Sequence, residues 1–146
     1  MTDSIRLRPA TAADYAFALD LYLRTMQPYT EELMVWDEQQ QIASFAKHWD
    51  VEDVRVISAD GRDVGWLQAT ETPREIVLQQ FFVAPERQRA GIGAQVLRGL
   101  LAGWKLTGKP LALTVLKNNP ARRFYERFGF SVVGETGVKF EMRRSP

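Results

Sequence analysis

The stretch Val83-Ala84-Pro85-Glu86-Arg87-Gln88-Arg89-Ala90-Gly91-Ile92-Gly93-Ala94-Gln95-Val96-Leu97 reads as the end of a strand, a short basic loop, two glycines and the opening of a helix. That junction has a chemistry of its own. A helix N-terminus leaves four backbone N–H groups without intrahelical partners and carries partial positive charge. Glycine beside it lets the main chain come close to an anion, so the two together form a phosphate site. Arg87 and Arg89 add charge next to it. Two familiar phosphate loops do not match. A P-loop ends in Gly-Lys-Ser/Thr, and nothing of that kind follows Gly93. A dinucleotide fingerprint needs a third glycine where Val96 stands, and an acid roughly 20 residues on, where residues 111–114 offer none.

Working outward, residues 75–83 form an apolar-rich run suited to a central strand. Before it, residues 63–70 and the run from Asp53 alternate with period two across Asp60-Gly61, a strong hairpin signal. Val54, Val56 and Ser58 are expected on one face, and Arg55, Ile57 and Ala59 on the other. After the junction, residues 94–106 carry Val96, Leu97, Leu100, Leu101 and Trp104 on one helical stripe, stopped by Gly108 and Pro110. A strand over 111–116, a short helix over 121–128 ended by Gly129, and a hairpin of 130–133 with 139–143 across Gly134 and Gly137 complete the C-terminal half. At the other end, residues 5–8 form a first strand ended by Pro9. Thr11 caps a helix, with Asp14 in the capping-box place, and Pro28 is expected to end or break it. A second amphipathic helix is expected over 31–46, its apolar side made of Leu33, Met34, Trp36, Ile42 and Phe45. The order gives an α+β or α/β-type domain: a central mixed sheet flanked by about four helices, as a single domain over 1–146.

Composition narrows the chemistry. At 146 residues, with 45% apolar and 25% charged residues, the chain can bury one core without staples. A net charge of +1 gives no global attraction to nucleic acid or membrane. With no cysteine and only His48 as an imidazole, disulfides, thiolate nucleophiles and His/Cys metal sites drop out, so no metal is expected. No signal-peptide pattern or run of 18 apolar residues stands in the sequence, so the expected setting is the cytoplasm.

The junction resembles the GNAT superfamily of N-acetyltransferases, whose signature is an arginine or glutamine, two residues and Gly-x-Gly after a strand ending in Val-x-Pro. Here these are Gln88 to Gly93 after Val83-Ala84-Pro85. A second block agrees: Asn118-Asn119-Pro120-Ala121-Arg122-Arg123-Phe124-Tyr125-Glu126-Arg127-Phe128-Gly129-Phe130 is similar to the family's Asn-x-x-Ala-x-x-x-Tyr-x-x-x-Gly-Phe. The spacing from Gly91 to Tyr125 accommodates helix, strand and helix, and the resemblance covers nearly the whole chain.

The resemblance implies an enzyme that transfers an acetyl group from acetyl-coenzyme A to an amine. It implies that backbone N–H groups of Arg89, Ala90, Gly91, Ile92, Gly93 and Ala94 hold the pyrophosphate. Main-chain groups of Phe81, Phe82 and Val83 would bind the amide-bearing arm as an added strand, at a bulge where one backbone N–H steadies the oxyanion. Asn118 matches the asparagine that bonds the arm, and Tyr125 the general acid. The acceptor would meet the first two helices and their loop: Tyr29, Trp36, Asp37 and Glu38, with Gln79 on the fourth strand. Where many relatives carry a strand Glu or His as base, this chain has Val77 and Gln79. A water on Gln79 or Gln80, or Glu75, Asp37, Glu38 or His48, remain open for that role. A homodimer through exposed sheet edges is also expected. The missing base keeps a second reading open, a non-catalytic acyl-coenzyme A sensor. For the single residues, Tyr125 also reads as a packed aromatic, Asn118 as a turn or cap residue, and Asp37 and Glu38 as a solvated face.

Overall fold

The computed structural model describes residues 4–88 and 91–146. Seven strands form a mixed sheet in the order β1-β2-β3-β4-β5-β7-β6. They are β1 (Ile5–Pro9), β2 (Val54–Ala59), β3 (Arg62–Glu71), β4 (Ile76–Val83), β5 (Leu111–Leu116), β6 (Ser131–Thr136) and β7 (Lys139–Arg144). Among the described residues there are four α-helices: α1 (Tyr15–Leu33), α2 (Glu38–His48), α3 (Ile92–Lys105) and α4 (Ala121–Arg127). β4 and β5 run parallel because α3 is the crossover between them. The pairs β1–β2, β2–β3, β5–β7 and β6–β7 are antiparallel. The chain forms two compact units: the described residues within Met1–Gln68 and Gln80–Gly93, and Ala69–Gln79 with Ala94–Pro146.

The first unit is built on aromatic packing. Ala18 and Leu21 of α1, Phe45 of α2, Val54, Trp66, Phe82 and Ala84 form one buried cluster. The Trp66 ring meets Phe82 at 5.4 Å, Trp49 at 5.6 Å and Phe45 at 5.8 Å. Offset and edge-on pairs of this kind add about 0.5–1.5 kcal/mol each beyond the area they bury. The expected capping box is present in the 3-10 turn Ala12–Asp14 that leads into α1, where the Thr11 N–H donates to Asp14 Oδ2 at 2.8 Å.

Arg8 from β1 grips the Asp14 carboxylate through two bonds of 2.9 and 2.8 Å and reaches Asp63 at 3.0 Å. The Arg8 bonds first, then the Thr11 N–H, outweigh the opposing effect of burial and hold the Asp14 carboxyl down at about 2. A depressed carboxylate stabilises the fold above its ordinary pKa and loses that contribution as pH falls through the folded value. Stability should therefore fall between about pH 4 and pH 2. Because Arg8 is 40% exposed, solvent screens the pair, and the contribution is about 1–2 kcal/mol rather than the full linkage value. Asp14→Asn should cost that amount at pH 7 and flatten the acid limb, read from denaturant midpoints across pH.

Two expectations for the helices are corrected. Pro28 does not end α1, which runs through it to Leu33. The proline removes one backbone bond at a cost of about 3 kcal/mol, but Leu21 before it and Thr30 after it are buried on the same helix and hold both sides in place. The helix expected over 31–46 is instead split. Met34 is extended and ends α1, and α2 begins at Glu38, with Asp37 Oδ1 accepting from the Gln40 N–H at 3.1 Å. Of its expected apolar side only Phe45 is buried, while Met34 and Ile42 are exposed. β2 keeps an unbroken register with β1, and both of its faces are covered: Val56, Ile57 and Ala59 are buried, while the slip opposite Ile57 and Ser58 falls on β3, where Val64 is the extra residue.

In the second unit β5 pairs β7 along its whole length, from Leu111↔Arg144 to Leu116↔Lys139. Val96, Leu97 and Leu100 of α3, Leu111, Leu113 and Val115 of β5, and Met142 of β7 are buried. Arg144 Nε donates to the Phe128 carbonyl at 2.7 Å, and Lys109 Nζ to Glu71 and the Thr72 carbonyl. The last hairpin is longer than expected: Gly134 lies inside β6 at a register slip after Val132, and the turn falls at Gly137, whose φ is +58°.

Candidate functional site

β4 ends with Phe81 and Val83 half-buried and Phe82 buried. The Ala84 N–H donates to the Val64 carbonyl at 2.7 Å, while near the β3–β4 turn the Thr72 N–H donates to the Glu75 carbonyl at 2.8 Å. A regular hairpin continued from Thr72 and Glu75 would set Val64 against Val83. Its actual partner is Ala84, so β4 carries one extra residue, the mark of a bulge. Gly65 of β3 lies against it: a Cβ there would collide with the Phe82 carbonyl oxygen and stand 3.2 Å from both Phe82 C and Val83 Cα. Sequence reasoning passed over Gly65, although a glycine inside a strand is the signal of such a close approach.

Beyond Ala84 comes a 3-10 turn, Pro85–Arg87, and the Gln88 side chain then reaches back so that Nε2 donates to the Val83 carbonyl at 2.9 Å. The predicted positions Arg89 and Ala90 lie outside the described residues. Gly91 has φ +81°, a conformation that side chains resist, and no heavy atom of the described residues lies within 4 Å of where its Cβ would be. Ile92, buried, opens α3, and Gly93 and Ala94 occupy its first turn. A left-handed glycine, with no described heavy atom at its Cβ position, thus leads into a 14-residue helix.

In the other unit, the parallel register of β4 and β5 comprises Ile76↔Leu111 and Val77↔Ala112, although both strands run on past those pairs. Asn118 follows β5 in the turn before α4 and is half-buried. The helix-opening bond belongs to its neighbour, since Asn119 Oδ1 accepts from the Ala121 N–H at 2.9 Å. Tyr125 of α4 is buried, its ring edge-on to Phe124 at 5.4 Å and Phe130 at 5.7 Å. Burial pushes its phenol above the ordinary value. Among the described residues nothing accepts or donates a hydrogen bond at its hydroxyl.

The acceptor candidates divide between the units. Tyr29 and Trp36 are half-buried, and Glu38 is exposed in the first turn of α2. Asp37 serves as the cap of α2. Nearby, the Tyr22 hydroxyl donates to Gln41 Oε1 at 2.8 Å, and burial raises that phenol as well. Gln79, exposed on β4, belongs to the second unit. Of the open candidates for the base, Glu75 accepts from Arg143 at 3.2 Å, and His48 Nδ1 stands 2.9 Å from the Ser44 carbonyl. A surface cavity of about 560 Å³ at the start of β4 is lined by Thr72, Pro73, Arg74, Glu75 and Arg143, and of the sequence candidates it holds only Glu75, one of those open for the base. Among the described residues no group of three or more His, Cys, Asp or Glu could hold a metal ion, and no helix is long and apolar enough to cross a membrane.

The family model described as an acetyltransferase (GNAT) domain matches residues 33–132. No curated protein matches the sequence. Among solved structures, a PaiA N-acetyltransferase of Thermoplasma acidophilum in complex with coenzyme A is 17% identical, over 98% of this chain and 99% of that one, with a TM-score of 0.76. The ribosomal-protein-S18-alanine N-acetyltransferase of Escherichia coli is 20% identical, over 97% and 93%, with a TM-score of 0.69. A GCN5-related N-acetyltransferase of Rhodopseudomonas palustris is 19% identical, over 100% and 99%, with a TM-score of 0.72. At these identities the likeness is one of fold.

Proposed function

The chain belongs to the GNAT acetyltransferase family, and from that membership we propose that it moves an acetyl group from acetyl-coenzyme A to a primary amine of a small molecule or peptide. The observation that carries this reading is the strand–loop–helix junction, where Gly91 at φ +81°, with no described heavy atom at its Cβ position, precedes the first turn of α3. Backbone N–H groups from residue 89 to Ala94 would hold the pyrophosphate, and main-chain groups of Phe81, Phe82 and Val83 would pair with the amide arm, with Asn118 as a further bond to it. The partners we propose are acetyl-coenzyme A, the amine acceptor and a second copy of the chain, in the cytoplasm.

Each remaining role belongs to a residue of the chain. A main-chain N–H at the end of β4 faces charge that grows on the acyl oxygen as the amine attacks, an interaction strongest in the transition state. The acceptor gives up one proton before it attacks, which uncovers its lone pair, and a second as the tetrahedral intermediate collapses. Tyr125 donates its hydroxyl proton toward the sulfur as the carbon–sulfur bond breaks; one of the two nitrogen protons returns to Tyr125 by way of water or a side chain, and the other leaves to solvent. The products are an N-acetyl amine and a free thiol. Tyr29, Trp36, Glu38 and Gln79 would meet the acceptor. Acids beside aromatic rings suit a cationic amine, which favours a small amine or amino-acid-like acceptor.

Coenzyme A titration combined with thiol-release screening over amine classes tests this. Thermal stabilisation and thiol release with at least one amine are expected. Stabilisation without release for any amine would favour the sensor, and neither would remove the reading. Gly91→Ala serves as the control for the cradle. Its Cβ meets no described heavy atom of the protein within 4 Å, so folding should lose only the cost of the left-handed backbone, about 1–2 kcal/mol. Coenzyme A affinity should fall tenfold or more, measured by calorimetry. Unchanged affinity would move the phosphate site elsewhere.

A further inference from the structure

Along α2 only Gln41 and Phe45 are withdrawn from solvent, four residues apart on one face of the helix. Phe45 packs with the rings of Tyr15, Tyr22, Trp49 and Trp66. Gln41 is the odd member of that face. An apolar residue would continue the packing, whereas a carboxamide must find hydrogen bonds as it leaves water. It finds one, since the Tyr22 hydroxyl donates to its Oε1 at 2.8 Å. Among the described residues no group bonds its Nε2.

That bond decides what Gln41 can offer a ligand. Burial raises the Tyr22 phenol, which therefore stays protonated and keeps its proton to donate. With Oε1 engaged, the group left without any partner is the NH2, which donates and cannot accept. An ammonium gains nothing from it; a carbonyl or carboxylate oxygen does. Tyr22 also sets the place of this donor. Its ring stands edge-on to Phe82 at 5.9 Å, and Phe82 is buried at the end of β4, where the arm of the acyl donor is proposed to lie. Tyr22, Gln41 and Phe82 belong to one compact unit. An oxygen bonded by Gln41 is thus close to the attacked carbon, on an atom near the reacting nitrogen rather than at the far end of a long acceptor.

We infer that Gln41, held by Tyr22, determines acceptor specificity: its NH2 group donates to a carbonyl or carboxylate oxygen on the carbon next to the reacting amine. The acceptor is then an amino acid or its amide-like equivalent rather than a bare alkylamine or polyamine. The inference rests on the proposed acetyl transfer and narrows the acceptor of that same site.

The test compares three matched series: amino acid amides, the free amino acids, and the alkylamines that lack the carboxyl-derived group. Because the series differ in amine basicity, the quantity read is the change in their kcat/KM ratios on substitution. Gln41→Ala should lower the ratio of amide to alkylamine by about tenfold, the upper range for one neutral hydrogen bond. Gln41→Glu, which puts an acceptor where the donor stood, should lower it at least as far. Tyr22→Phe leaves the NH2 in place but unheld and should lower it by about threefold. Whichever of the amide and free-acid series has the higher wild-type kcat/KM names the source of the oxygen. A bond that only ties α1 to α2 would lower all three series alike, and that result, or unchanged ratios, would overturn the inference. If no member of any series is acetylated, the proposed function fails, and the side-chain NH2 signals of Gln41 in ¹⁵N-labelled wild-type protein with coenzyme A decide this inference separately. L-alaninamide or L-alanine should shift them and ethylamine should not; no shift, or an equal shift with ethylamine, would overturn it.

Discussion

Tyr125→Phe should lower kcat by about 10²-fold while leaving coenzyme A affinity and folding nearly unchanged. A positioned general acid contributes typically 10²–10⁴-fold. The lower end applies here because burial raises the Tyr125 phenol above its ordinary value. A thiol has a pKa near 8.5 and a phenol near 10, so complete transfer to the departing sulfur is uphill even before that shift. The hydrogen bond therefore supplies most of the benefit, about 2.7 kcal/mol for a factor of 10². The same shift keeps the phenol protonated, so kcat should show no alkaline loss from Tyr125 up to about pH 10. The fold should scarcely notice the substitution. The ring contacts with Phe124 and Phe130 survive, and the hydroxyl makes no hydrogen bond to the described residues that could be lost. Wild-type turnover in the variant would reduce Tyr125 to a packing residue; a large loss of stability would mean that the hydroxyl has a structural partner.

How much of this was legible in the sequence depended on what decided each element. β5 matches its expected range residue for residue, because Gly108 and Pro110 close off one end and the asparagine turn the other. The left-handed turn at Asp60-Gly61, with φ of +52° and +81°, follows from the chemistry of those two residues alone. α1 was misread because a local rule, proline as a breaker, met burial of Leu21 and Thr30 on either side, and packing outweighed it. Of the candidate site, the strand–loop–helix junction was legible as local structure, with Gly91 left-handed and Ile92 opening α3. The acceptor half was not. Asp37 read as an acceptor contact or a solvated face within a helix expected over 31–46, and its bond to the Gln40 N–H instead starts a helix. Gly65 carried a readable signal, but the importance of its missing side chain depends on the Phe82 carbonyl beside it, and that pairing is non-local.

Trp66→Ala should destabilise the protein by about 3–5 kcal/mol, the range for removing a fully buried large aromatic. Trp66 has no exposed surface and sits among Phe45, Trp49 and Phe82. A single domain has only about 5–15 kcal/mol in all, so the variant should unfold at a denaturant midpoint well below that of the wild type, and the first unit should lose the support behind the end of β4. Trp66→Phe should behave differently. The indole Nε1 is enclosed and has no hydrogen-bond partner among the described residues, and an enclosed orphan donor costs about 1–3 kcal/mol. Removing it offsets much of the lost ring volume, so the net cost should stay within about 1.5 kcal/mol. The contrast separates two explanations of the tryptophan. If packing alone governs the site, the two variants should fall in proportion to the volume removed. If the orphan donor matters as well, Trp66→Phe should lie clearly above that line in equilibrium unfolding.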